Sequence, residues 1–327
     1  MARHHNSRLP FVFFSVIVVL AGCHSGPSVS GAFDRSYVVT GPIRLELTNA
    51  SGDVDITGSV DGKVHVRGEV RASGFGFDNP QKRLDDTLAN PPIEQRGDTI
   101  RIGKDMSRMR HISIAYTIQV PHDAEISATV ASGAQTIRNV TGPVTVRAAS
   151  GSIRLEKIDR DADITTASGT ISASNVGSDL RVSTASGNVN VSSVKGDVRA
   201  NAVSGVVRIA NPGARVEASD TSGEIEIQGA SNDVKAHAIS GLVSVQGNPS
   251  SGSYWDLKTV SGGVQLRVPT TANFHFSAEA ASGEIRTDVP IVIEEQGKHS
   301  LRAHMGSGGG RVEVHTVSGE IRVSGTK

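Results

Sequence analysis

The chain has 327 residues, with 33 basic and 33 acidic side chains and no net charge at neutral pH, which excludes a surface built to attract nucleic acid phosphates. Thirty-six glycines against eight Phe, three Tyr and one Trp fit a turn-rich all-β chain. Cys23 is the single cysteine, so no intramolecular disulfide can form.

At the N-terminus, Arg3 and Arg8 precede an apolar run from Phe11 to Leu20. That run is shorter than the roughly 20 residues a membrane-spanning helix needs, so residues 1–22 read as a secretory signal. It ends in Leu20-Ala21-Gly22-Cys23, which resembles the bacterial lipobox. The resemblance implies that Cys23 is the lipid attachment site, with the membrane as partner; an ordinary signal peptide with an incidental cysteine is the alternative. His24 stands where inner-membrane lipoproteins commonly carry aspartate, which implies the outer membrane if the organism has two. Residues 23–32, rich in Ser and Gly, are expected to be a flexible tether.

Residues 33–124 are expected to form an irregular β region with one short helix. Ile43, Leu45, Leu47, Val54, Ile56, Val64 and Val66 alternate around a first Ser51-Gly52. The stretch from Pro80 to Leu88 suits a short amphipathic helix stopped before Pro91-Pro92. Arg96-Gly97-Asp98-Thr99 reads as a hairpin turn, and Ile112 to Val120 as a strand.

Residues 125–327 carry the most informative pattern. Ser-Gly recurs at Ser132, Ser150, Ser168, Ser186, Ser204, Ser222 and Ser240 with an unbroken period of eighteen, then at Ser261, Ser282 and Ser318. A fixed period of this length marks a repeat architecture in which each coil stacks on its neighbours. Apolar residues occupy the positions six, four and two before the serine (Val144, Val146, Ala148) and three, five and eight after it (Ile153, Leu155, Ile158). Alternation on both sides of the mark predicts two strands per coil, each with one buried face. The predicted fold is a parallel β-solenoid with two strands per 18-residue coil; a meander of antiparallel hairpins is the rival. The interval from Ser282 to Ser318 is thirty-six residues, two repeats long, with its central mark lost.

The lipobox, the segment Ile114-Ala115-Tyr116-Thr117-Ile118-Gln119-Val120-Pro121 and the run of Ser-Gly-x-Val/Ile units together resemble a bacterial putative-adhesin family with repeated β-strands, a domain of unknown function. The likeness spans roughly residues 35–325. It implies a secreted or surface-anchored protein and supplies no catalytic residue.

Asp161, Asp179, Asp197 and Asp233 recur eleven residues after the serine, a spacing that would suit a calcium ladder, but Pro143 and Arg215 interrupt the column. Aspartate also favours turns for local hydrogen bonding. His237, His275, His299, His304 and His315 are scattered without zinc-ligand spacing and read as solvated surface. The outward column Arg154, Ser172, Asn190, Arg208, Glu226, Ser244 is polar with no aromatic ladder for sugars, and no pocket is expected along it. Trp255 and Phe276 fall on inward positions. Catalytic, cofactor-binding and metal residues are therefore assigned to none. The expected function is a non-enzymatic cell-envelope lipoprotein, an adhesin-like scaffold facing a protein or polysaccharide surface. A polysaccharide-acting β-helix enzyme, or a signalling or stress-response partner of envelope machinery, are the alternatives.

Overall fold

The computed structural model describes residues 28–74, 79–103 and 110–326; the expected signal 1–22 and Cys23 lie outside the described residues. The fold is an all-β solenoid. Glu125–Ser132, Val144–Ser150, Ala162–Ser168 and Leu180–Ser186 lie side by side in parallel, with Ser132, Ser150, Ser168 and Ser186 stacked in one column. Gln135–Val140, Ile153–Ile158, Ile171–Val176 and Val189–Val194 form the second sheet in the same way. Antiparallel pairing is confined to the two ends of the stack. The core is the space between the sheets, where Val144, Val146, Ile153, Leu155 and Ile158 are all buried.

Two local devices turn the chain. At the Ser-Gly corner Gly151 has φ +118, and a Cβ there would stand 2.1 Å from the carbonyl oxygen of Gly133 in the coil below. Only glycine allows both the backbone conformation and the close stacking. The second device lies seven residues after the serine. Asn139, Lys157, Asn175, Ser193 and Asn211 all adopt left-handed backbone with φ between 51 and 57. That one residue restores the phase, so positions five and eight after the serine both point inward, as Leu155 and Ile158 do.

At the N-terminal end the first coil, Arg44–Ser51 and Val54–Ser59, stacks directly on the Ser132 coil. The strands Thr99–Ile102 and Ile112–Pro121 lie outside it, one on each sheet. The strand Ser28–Val38 then pairs antiparallel with Lys63–Ser73. This corrects the expected tether. Residues 28–32 are strand, because Val29 packs on the core and Gly31 lies beneath Leu84 and Leu88 of the helix Pro80–Ala89. Asn79 caps that helix by accepting from the backbone N–H groups of Gln81 and Lys82.

The C-terminal end departs from simple stacking. The strand Tyr254–Ser261 does not meet Phe274–Ser282; Gly310–Ser318 lies between them, paired in parallel with both. In the second sheet Ile321–Thr326 likewise separates Val264–Pro269 from Ile285–Thr287. The last coil is thus inserted one place inward. The thirty-six-residue interval without a central mark does not hold a degenerate coil but the antiparallel hairpin Val292–Gln296 and Ser300–Met305, which closes the first sheet.

Candidate functional site: an apolar ridge and groove on the Ser-Gly edge

The residue immediately before each serine points out of the corner. In stack order this column reads Ala131, Ala149, Ala167, Ala185, Val203, Thr221, Ile239, Val260, Val317, Ala281. Val203, Ile239, Val260 and Val317 are 52%, 53%, 49% and 54% exposed, so branched apolar side chains form a solvent-facing ridge. Scattered apolar residues on a surface need no explanation, but Ile239, Val260 and Val317 stand on three adjacent coils, with Thr221 between them and Val203.

Beside that ridge runs a groove of about 780 Å³. Its floor is the column two residues before the serine (Ala202, Asp220, Ala238, Thr259, Thr316, Ala280), and one wall is the column before that, with His237, Lys258, His315 and Glu279. His299 and Ser300, at the tip of the closing hairpin, also line it. The hairpin is held there by the Ala280 N–H, which donates to the His299 carbonyl at 2.9 Å.

The histidines scattered in the sequence are therefore partly gathered by the fold: His237, His299 and His315 share this groove, His299 exposed as expected and His237 and His315 half-buried. His237 Nε2 donates to Asp256 Oδ2 at 2.9 Å, and Lys258 Nζ lies 2.9 Å from Oδ1 and 3.0 Å from Oδ2 of the same carboxylate. Burial pushes the Asp256 carboxyl up, but the bonds from Lys258 and His237 outweigh it and hold it below its ordinary value. Ser219 sits in register beside His237, yet its hydroxyl donates to Asn201 Oδ1 at 2.7 Å and is not held by the imidazole. The His237–Asp256 pair thus lacks a nucleophile hydrogen-bonded to it.

Asp220 is the residue that sequence reasoning missed. It occupies an inward position where the neighbouring coils carry Ala202 and Ala238, and it is 3% exposed. Oδ1 accepts the Ser222 N–H at 2.9 Å, while Oδ2 is buried without a hydrogen-bond partner. Burial pushes its carboxyl above the ordinary value, the Ser222 bond opposing. The signal was present: one carboxylate in a column that from Val130 onward is otherwise Ala, Thr or Val.

The aspartate column has a structural use. Asp161 Oδ1 accepts the Asp179 N–H at 3.3 Å, Asp179 Oδ1 accepts the Asp197 N–H at 2.9 Å, and Asp233 Oδ1 accepts the Tyr254 N–H at 3.0 Å. In these three places a turn is pinned to the next by a side chain. Bonding from Ser178 and from the Asp179 N–H lowers the Asp161 carboxyl; the Tyr254 N–H and Arg215 do the same for Asp233. Among the described residues no group of three or more His, Cys, Asp or Glu could hold a metal ion. Outward charges are matched from coil to coil, as in Arg208–Glu226 at 3.1 Å and Lys235–Glu217 at 3.1 Å. Trp255 and Phe276 are buried as expected, and the Trp255 indole donates to the Asn232 carbonyl at 2.7 Å.

The coil pattern and its corner glycines are those of a known domain. Residues 44–253 and 179–324 match the Toastrack DUF4097 family, and the chain belongs to it. This is the putative-adhesin domain of unknown function that the Ser-Gly units resemble. Among solved structures, a "putative adhesin" from Bacteroides fragilis NCTC 9343 shares 14% identity, covering 90% of this chain and 97% of that one, with a TM-score of 0.29. A "putative cell adhesion protein" from Clostridium sporogenes ATCC 15579 shares 11% identity over 90% of this chain and 100% of that one, with a TM-score of 0.22. Neither likeness bears on architecture or binding at these scores. No curated protein matches the chain.

Proposed function

We propose that this chain is a non-enzymatic, adhesin-like scaffold of the cell envelope, tethered by a lipid on Cys23, that holds a macromolecular partner along its Ser-Gly edge. The observation that carries the reading is the exposed ridge Val203, Ile239, Val260 and Val317 beside a groove. Contiguous exposed apolar surface is characteristic of interaction sites. The tether is supported by Leu20-Ala21-Gly22-Cys23. Among the described residues no helix is long and apolar enough to cross a membrane. Strand begins at Ser28, five residues beyond Cys23, a reach of at most about 18 Å. A lipid on Cys23 would therefore hold the N-terminal end of the stack near the bilayer and display the groove, at the other end, away from it.

Two measurements test this. Cys23→Ser should move the mature chain from the membrane to the soluble fraction; undiminished membrane retention would sink the tether. A photo-crosslinking side chain at Val260 should trap a partner in intact cells, while the same group at Arg154, on the outward face of the second sheet, should not. Equal yields at both positions would show that the ridge is not the interaction surface.

A further inference from the structure

Asp220 and Asp256 are the buried carboxylates among the described residues, and they are treated differently. Asp256 is neutralised by Lys258 and hydrogen-bonded by His237. Asp220 has alanine on either side in the stack and no cation partner, and its Oδ2 lies against Gly223, where a Cβ would stand 2.8 Å from it. Two coils further along the same floor, Thr259 is 4% exposed and its Oγ1 is also without a partner. Of the remaining charges of the groove, Lys258 is matched by Asp256, and Glu279, which lies 3.5 Å from His315 Nδ1, is exposed to water. A buried, unmatched anion in an apolar-rimmed groove calls for a cation carried by an apolar ligand.

We propose that the groove binds an extended polypeptide segment of a partner protein, its apolar side chains on the Val203, Ile239, Val260 and Val317 ridge and one basic side chain neutralising Asp220. This rests on the reading of the Ser-Gly edge as the interaction surface. The groove runs from the Ser204 coil to the Ser282 coil, five steps of roughly 4.8 Å, which an extended segment of about seven residues spans. A fatty chain would cover the ridge but leave Asp220 and Thr259 unpartnered. A glycan would offer hydroxyls to both but would not cover branched apolar side chains. A basic amphipathic strand does all three.

The test uses the detergent-solubilised full chain and an acetylated, amidated peptide, Val-Thr-Val-Lys-Val-Thr-Val, with norleucine or glutamate replacing lysine in two controls. Fluorescence anisotropy should show the lysine peptide binding at least about ten-fold more tightly than either control. Asp220→Asn keeps the Oδ1 acceptor for Ser222 and should erase that preference without lowering the melting temperature. Val260→Asn, at an exposed site, should weaken all three peptides while the fold persists. The proposal is overturned by equal binding of the lysine and glutamate peptides, by an unchanged preference in Asp220→Asn, or by hexylammonium competing as well as the peptide. If the lysine peptide fails to bind at millimolar concentration while crosslinks at Val260 persist in cells, this inference fails and the interface itself stands.

Discussion

The coils marked Ser132 to Ser186 and those marked Ser204 to Ser318 share one backbone but not one edge. In the first set the residue before each serine is alanine: Ala131, Ala149, Ala167, Ala185. In the second it is Val203, Thr221, Ile239, Val260 and Val317. Both sets stack serine on serine and glycine on glycine, so the corner geometry does not require the larger side chains. The column lies outside the core and is free to change without cost to folding. The difference therefore marks where a common scaffold has been given an edge of its own. It coincides with the only inward carboxylate of the first sheet among the described residues, Asp220, and with the inserted last coil.

The second region should also unfold differently. In a stack of nearest-neighbour interfaces, deleting a terminal coil normally removes one interface. Here Gly310–Ser318 and Ile321–Thr326 each pair on both sides. A chain ending at Gly309 loses two interfaces and buried Val312, Val314, Ile321 and Val323, and strands the Ser282 coil and its hairpin. It should lose several kcal/mol, at about 25 cal/mol per Å² of apolar area, with protease cutting appearing between residues 270 and 309. A truncated chain that melts like the full one would place the last coil at the end of the stack.

In the regular coils the sharpest contrast lies between adjacent residues. Val191 is 3% exposed between the sheets, and Asn190 faces outward beside Arg208. Val191→Asp should destabilise by about 3 kcal/mol or more, because an unpaired charge is buried. Asn190→Asp should change stability by less than about 0.5 kcal/mol. Urea midpoints that coincide would show that the strand phase is wrong.

The strand phases were legible because period-two alternation and an eighteen-residue repeat leave one in-register solution: Val144, Ile153 and Leu155 could only face inward together. The helix was legible from Pro80 to Leu88 and runs Pro80–Ala89. The order of the last coils was not, because coils with interchangeable ladders present equivalent edges, and only long-range pairing decides which meet. The missing mark between Ser282 and Ser318 was the trace of that exchange. The left-handed residue at Asn139, Lys157 and Ser193 was equally hidden, since three different side chains occupy one backbone state. The groove was hidden in part: its wall comes from coils adjacent in space, and its end from His299 and Ser300 on a hairpin that the repeat does not predict. Asp220 was visible in its column and needed only the question of what a carboxylate does there.

The smallest effect tests the Asp220 side of the comparison directly. Burial raises its folded pKa above the unfolded value of about 3.9. Between those two values the folded state binds more protons than the unfolded one, so stability falls as pH rises through the window and stays lower above it. Asp161 and Asp233 act with the opposite sign. Their folded pKa values are depressed, so what they add is present above the unfolded pKa and is lost as pH falls through the folded one. Subtracting a variant curve from the wild-type curve cancels those shared contributions. Asp220→Asn should be the more stable protein at pH 7, by about 1 kcal/mol, because an unpartnered neutral amide costs less to bury than an unpartnered carboxylate. The gap should narrow towards pH 4, as the wild-type carboxyl takes up its proton in the folded state ahead of the unfolded one. Melting temperatures of the two proteins at several pH values between 4 and 8 measure it. A gap of constant size would mean that the carboxylate is not desolvated. A wild-type protein more stable at pH 7 would mean that Asp220 has a cation partner within the fold, and the second region would then differ from the first in its ridge alone.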